Sequence, residues 1–325
     1  MSKKNTQAQT ASAETANVKK VYDFCAKKKV ILGILIGVFA ALVIGIIARG
    51  VDLAIEFKGG TIISYTYQGD VDTKAVSDTV KSIVNTSITV RTGESLDSDA
   101  KQITISFTSN EGLTADRQTE LTNALRENFA DNDFALYDSN DVAPTSGREF
   151  LLKCLVAVIF AAIVVIIYIA IRFRNIGGWS AGVCSVFALL HDILVAVTVT
   201  ILFGFEFNSN LVAVILTILG YSINNTIVIY DRIREDRKLM PKASLDELIN
   251  VSCTQSLTRS IRTSITTIST MLIVTIVVLI KGYDSLLSFS VPLMFGLISG
   301  TYSSLFVAPV TWSWWKNKQA KKSSK

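Results

Sequence analysis

Six apolar runs, each about the length a helix needs to cross a hydrocarbon layer, leave this 325-residue chain few folds to choose from. They fall at residues 30–48, 150–171, 178–203, 211–230, 263–280 and 286–312. Inside lipid every backbone N–H and C=O must be satisfied within the segment, so such runs are expected as helices. Hydrophobic residues make up 50% of the chain, charged residues only 18%, and the mean hydropathy is +0.42, which excludes an ordinary water-soluble enzyme. The first run is too long for a signal-peptide core and lacks a convincing small-x-small cleavage site, so it is expected to be retained as a span. The implied division is a basic tail at 1–29, a first helix at 30–48, a polar block at 49–148, five helices within 149–312, and a second basic tail at 313–325. The first tail is rich in Ser, Thr, Ala and Lys and is expected to be disordered.

Lysine and arginine orient the spans. Seven precede the first, two (Arg172 and Arg174) lie between the second and third, seven lie between the fourth and fifth, and five follow the sixth. The loops of the other side, GFEFNSN and KGYD, hold only Lys281. The positive-inside rule therefore predicts both termini on the cytoplasmic side and the polar block outside. Trp179, Trp312, Trp314 and Trp315 are expected at the cytoplasmic interface, where an indole keeps its N–H wet. The net charge of +5 thus reports topology and contact with membrane lipids, and no nucleic-acid partner is expected.

The polar block alternates between a two-residue and a 3.6-residue apolar period. TIISYTY, SITVR, KQITISF and DFALYD read as strands; 71–84 and 111–129 read as helices. The order is βαββαβ, and the simplest solution is a ferredoxin-like α+β domain between the first and second spans. It carries sixteen Asp and Glu from Asp52 to Asp141, without His, Cys or a phosphate loop, so it offers a binding surface or merely a soluble one, not catalysis. Gly59 and Gly60 at its entry, and Gly147 near Pro144 at its exit, are hinge candidates, because glycine tolerates unusual φ/ψ there. The four cysteines, Cys25, Cys154, Cys184 and Cys253, show no C-x-x-C spacing, and Cys253 is expected in a polar loop; neither a metal site nor any other cofactor is expected.

Ionisable and amide groups inside a span need partners or a job. The third run holds the sole histidine, His191, beside Asp192: a relay for protons, or a hydrogen-bond network that fixes packing. The fourth carries Gly220, Ser222, Asn224 and Asn225 before Asp231 and Arg232, a polar motif suited to close helix packing. Asn224 and Asn225 point about 100° apart, so one is expected to face a neighbouring helix and the other a second helix or a cavity. Arg259 and Arg262, three residues apart, share one face ahead of the fifth run. Gly296, Gly300, Ser303 and Ser304 make a small-residue face in the sixth.

Taken together, RGVDLAIEFKGGT, ALLHD, GYSINNTIVIYDRIRED, TQSLTRSIRTS and GTYSS, in that order between Arg49 and Lys316, resemble the SecF family. SecF is the smaller membrane subunit of SecDF protein-export complexes, within the resistance-nodulation-division superfamily. Glu56 stands where that family usually has Asp. The resemblance implies an accessory subunit, not an enzyme, in the cytoplasmic membrane of a prokaryote. Its implied partners are a SecD-like subunit, a SecYEG-like channel and the unfolded secretory precursor, with proton flow driving late steps of export. One departure matters: the family's fourth-span aspartate is replaced by Asn225, and an amide does not titrate near neutral pH. Arg259 matches that aspartate's proposed partner. Three routes remain open: the partner subunit carries the proton path, Asp192 has taken it over, or the chain works without ion coupling. The first is preferred, because the superfamily resemblance implies that six spans are half of a pseudo-symmetric twelve. The alternatives are a scaffold subunit of the translocase that is not ion-coupled and a small-molecule or lipid exporter of the same superfamily; against the exporter, the polar block is too small for porter domains.

Overall fold

The computed structural model describes residues 21–84, 86, 88–94, 101–108 and 113–323. Most of the basic N-terminal tail therefore lies outside the described residues. Six helices are long and apolar enough to cross a membrane. The first is α1, Lys28–Arg49, which ends at Gly50, a positive-φ residue (76°) whose N–H bonds Ile46 O at 2.8 Å. A short helix α2, Ile55–Lys58, leads into the polar block, built from β1 (Gly60–Tyr67), α3 (Thr73–Val84), β2 (Ile88–Glu94), β3 (Lys101–Phe107), α4 (Ala115–Asn128) and β4 (Ala135–Val142). The remaining spans are α5 (Pro144–Arg172), α6 (Gly178–Phe203), α7 (Ser209–Leu239), α8 (Leu245–Lys281) and α9 (Asp284–Tyr302). A π-helical turn, Ser303–Val307, then continues α9 into α10, Ala308–Ser323. Helix ends follow local chemistry. Pro144 opens α5, where no N–H is needed. Asn208 and Ser244 cap α7 and α8 by accepting from the Leu211 and Glu247 amides at 3.2 Å.

The four strands form one antiparallel sheet in the order β2-β3-β1-β4, with Ile63 opposite Ile105 and Tyr65 opposite Ile103. Alternation puts Ile63, Tyr65, Ile103, Ile105 and Phe107 on one face, and Val76 and Val80 of α3 with Leu121 and Leu125 of α4 cover it. Both helices share that core, and residues of the opposite face, Ile62, Arg91, Thr104 and Ser106, line a cavity with Glu206, Asn208 and Tyr283 of the membrane bundle's loops.

In the membrane bundle α6 is the centre, packed against α1, α5, α7, α9 and α10. Close approach needs small residues: a Cβ added at Gly178 comes within 2.5 Å of Ala170 O on α5, and one at Gly296 within 2.1 Å of Ile218 on α7. The small-residue face of the sixth span is thus used within the chain.

Two expectations are corrected. Cys253 lies not in a loop but inside α8, fully buried with Leu248, Ile249 and Ser252. The polar stretch before the fifth apolar run has an apolar face at helical spacing, and α7 and the chain's end give it something to cover. Trp312 is not at a wet interface either: it is 1% exposed, its Nε1–H donating to Ser180 Oγ at 3.0 Å and its ring edge-on to Tyr230. A buried hydroxyl has replaced water as the indole's partner.

The sheet domain rests on the α6–α7 loop. Ala54 N donates to Phe207 O at 2.9 Å, Phe207 N to Asp52 O at 2.8 Å, and Arg91 pairs with Glu206 at 3.0 Å. Glu56 Oε2 accepts the Ser209 amide at 2.9 Å, a carboxylate at the N-terminus of α7, where the helix dipole favours it.

A buried carboxylate cluster as the candidate functional site

Asp192 sits near mid-depth, fourteen residues into α6, or about 21 Å from its start. It is fully buried, and its oxygens collect hydroxyl donors from two other helices and the π-turn. Ser222 on α7 donates to Oδ2 at 2.7 Å, Ser303 to the same oxygen at 2.6 Å, and Ser299 on α9 to Oδ1 at 2.6 Å. His191 Nδ1 lies 3.3 Å from Oδ1 and 3.3 Å from Ser299 Oγ. Hydroxyl donors aimed at one carboxylate are the arrangement that keeps a charge tolerable in a low-dielectric interior, and a hydroxyl can also turn round to accept if the carboxyl takes a proton.

Backbone geometry makes room for this cluster. A Cβ added at Gly300 meets Ser222 Cβ at 3.2 Å and Asp192 Oδ2 at 3.6 Å. The π-turn begins at Ser303 itself, and such wide turns recur where a helix presents side chains to a site. Beside it, His191 Nε2 and Asn225 Nδ2 are buried without a hydrogen-bond partner among the described residues. Each of these two polar atoms costs free energy left unpaired.

The candidate residues therefore divide. His191, Asp192 and Ser222 come together, with Asn225 buried one turn along α7 from Ser222. Arg259, implied as the partner of the fourth-span position, does not join them: it lies on the exposed outer face of α8, as Arg262 does. Asn224 and Gly220 are exposed on α7. Asp231 is held at the α7 end by Arg234 at 2.7 Å and Arg172 at 3.3 Å, and Arg232 by Gln255 at 2.5 Å. The glycines flagged as hinges occupy a close-packed joint. Added Cβ atoms at Gly59, Gly60 and Gly147 come within 2.5 Å of Pro144 Cα, 2.3 Å of Phe107 O and 2.9 Å of Phe57 O.

Ser299 escaped sequence reasoning, although it stands one turn before Ser303 in the same span. Also missed were two further hydrogen-bonded acids: buried Asp236 accepts from Ser252 at 2.7 Å, and half-buried Asp246 accepts from Ser313 and Asn317. Isolated polar residues flanking a span carry no signal of which helix they will meet.

Comparison with known proteins fits this architecture. The family model described as protein export membrane protein SecD/SecF, C-terminal, matches residues 121–318. Protein translocase subunit SecF of Petrotoga mobilis is 32% identical over 88% of this chain and 93% of its own length. SecF of Alicyclobacillus acidocaldarius is 34% identical, covering 85% and 87%. The crystal structure of a Thermus SecDF, a translocon-associated membrane protein, superposes with a TM-score of 0.75 at 28% identity, covering 93% of this chain but only 39% of that one. The chain thus spans about two fifths of the SecDF structure it matches. Its spans, its sheet and its sequence agree, and the chain belongs to the SecD/SecF family of protein export membrane proteins.

Proposed function

We propose that this chain is an accessory subunit of the Sec protein translocase, acting beside a SecD-like partner so that the proton-motive force drives late steps of export across the cytoplasmic membrane. The observation that carries the reading is the Asp192 cluster, a carboxylate at mid-depth whose three hydroxyl donors come from separate elements and so change partners if those elements shift. Asp192, rather than the partner alone, is then a proton-exchanging group. One elementary charge crossing about 100 mV supplies roughly 2.3 kcal/mol, enough to bias a two-state movement.

A partner in the membrane is supported by what the bundle leaves outside. Thr217, Gly220 and Asn224 run along the exposed face of α7, and a Cβ added at Gly220 meets nothing within 4 Å. Arg259 and Arg262 are exposed on α8. Small and polar residues facing lipid are costly, whereas against another bundle they allow close contact and hydrogen bonds. The sheet domain takes the ferredoxin-like role outside the membrane, engaging the precursor that leaves a SecYEG-like channel, and the Lys- and Arg-rich ends of the spans lie in the cytoplasm.

The test is release of a secretory precursor from sealed vesicles that hold this protein and its SecD-like partner, with the proton gradient imposed and then collapsed. Release that falls on collapse supports ion coupling. Unchanged release that still needs this subunit favours a scaffold, the reading that Asn225, an amide where the family resemblance implies an acid, keeps in play. A substitution separates the two further. Asn225→Asp introduces a carboxyl at a buried atom that now lacks a partner. Gradient-dependent release is expected to rise severalfold and to acquire a new pH dependence; an unaltered rate and pH profile would place the fourth span off the proton path.

A further inference from the structure

We infer that the chain carries a binding site for an anionic phospholipid, in the groove between α1, α6 and α10 at the end of the bundle where both termini lie. The groove is about 460 Å³ and almost wholly apolar, walled by Leu32 and Leu35 of α1, Val183 and Phe187 of α6, and Val310 and Trp314 of α10. Its mouth is basic: Lys28, the first residue of α1, is part of the lining. Lys318 lies over the Trp314 ring at 5.1 Å, and Lys322 shares with both a second, shallower depression. None of Lys28, Lys318 and Lys322 pairs with a carboxylate among the described residues.

The dimensions suit one acyl chain. From Lys28 to Leu35 the groove runs about 10 Å along α1, within the roughly 15 Å of one hydrocarbon leaflet. A headgroup phosphate then sits level with Lys28 and Lys318, and the Trp314 indole lies at the headgroup boundary, where such rings are most stable. Charge complementarity selects the occupant: two or three lysines without acidic partners favour a lipid whose headgroup is net negative over a zwitterionic one. The site depends on the spans crossing a bilayer and not on the export reading, so either can fail alone.

Tryptophan fluorescence tests it on the full chain in phosphatidylcholine nanodiscs. In a Trp179→Phe background, Trp314 and Trp315 report the groove, since Trp312 is buried inside the bundle. Phosphatidylglycerol brominated on its acyl chains is expected to reach half-quenching at a mole fraction about tenfold lower than equally brominated phosphatidylcholine. The pair Lys28→Gln and Lys318→Gln should abolish that preference, and Val183→Phe, which fills the groove, should weaken quenching by both lipids. If the double variant elutes as an aggregate, Lys318→Gln alone, at an exposed position, should still reduce the preference about threefold. Equal half-quenching by the two headgroups, or a preference that survives loss of the lysines, overturns the proposal. So does quenching that disappears once a SecD-like partner is bound, which makes the groove a protein interface.

Discussion

In an Asp192→Asn variant, the gradient-dependent share of precursor release is expected to fall about tenfold or more, to the level seen with the gradient collapsed, while the protein still folds. The exchange is nearly isosteric. The carbonyl oxygen of the introduced amide would keep one serine donor, and the hydroxyls facing its NH₂ can rotate to accept, so the loss in stability is about 1 kcal/mol. What disappears is the ability to exchange a proton. Ser299→Ala provides a graded comparison: one of the three hydroxyl donors at 2.6–2.7 Å is removed, the carboxyl remains, and release should be reduced rather than abolished. Should Asp192→Asn release precursor at the parental rate with the parental gradient dependence, Asp192 is a packing residue and any proton path lies in the partner.

The second large effect is expected at the entry to the sheet domain. Gly60 has φ of 145°, and a Cβ built there lies 2.3 Å from Phe107 O and 2.9 Å from Thr108 Cα. Both obstacles are backbone of the neighbouring strand β3 and the residue that follows it, so no side chain can swing aside. Gly60→Ala should cost roughly 2–5 kcal/mol, from backbone strain and overpacking together. The readouts are a lower melting temperature in detergent and faster proteolysis within the sheet domain. Gly50→Ala is the control. Gly50 also has positive φ (76°), but nothing lies within 4 Å of an added Cβ, so only backbone strain of about 1–3 kcal/mol applies, without overpacking. If the two variants are equally stable, close approach of the strands is not what selects glycine at position 60.

The joint formed by Gly59, Gly60 and Gly147 bears on how movement of the bundle reaches the sheet. Gly59 touches Pro144, Gly147 touches Phe57, and the Phe57 and Phe150 rings stack at 5.5 Å. The entry and exit of the domain therefore pack closely against the start of α5. With the Arg91–Glu206 pair and the Glu56 cap on α7, this gives the sheet contacts to α5, to the α6–α7 loop and to α7, all elements on which the Asp192 cluster is mounted or against which it packs.

The six spans were legible in the sequence because their signal is summed over some twenty residues and needs no partner: apolar side chains and self-satisfied backbone suffice. The strands were legible too, KQITISF falling on β3 residue for residue, since alternation is local. His191 and Asp192 announced themselves by being costly where they stand. By contrast, the length of α7 and α8 beyond the apolar runs, the burial of Trp312 and Cys253, and the exposure of Arg259 depend on which surface each helix meets. Ser299, Ser303 and Ser222 are ordinary small polar residues until three segments of chain bring them to one carboxylate. Composition and period along a single segment thus determined what crosses the membrane and what folds beside it. Only the tertiary structure decided where the polar atoms go, because a hydrogen bond within a bundle is a relation between helices, and no single helix encodes its neighbour.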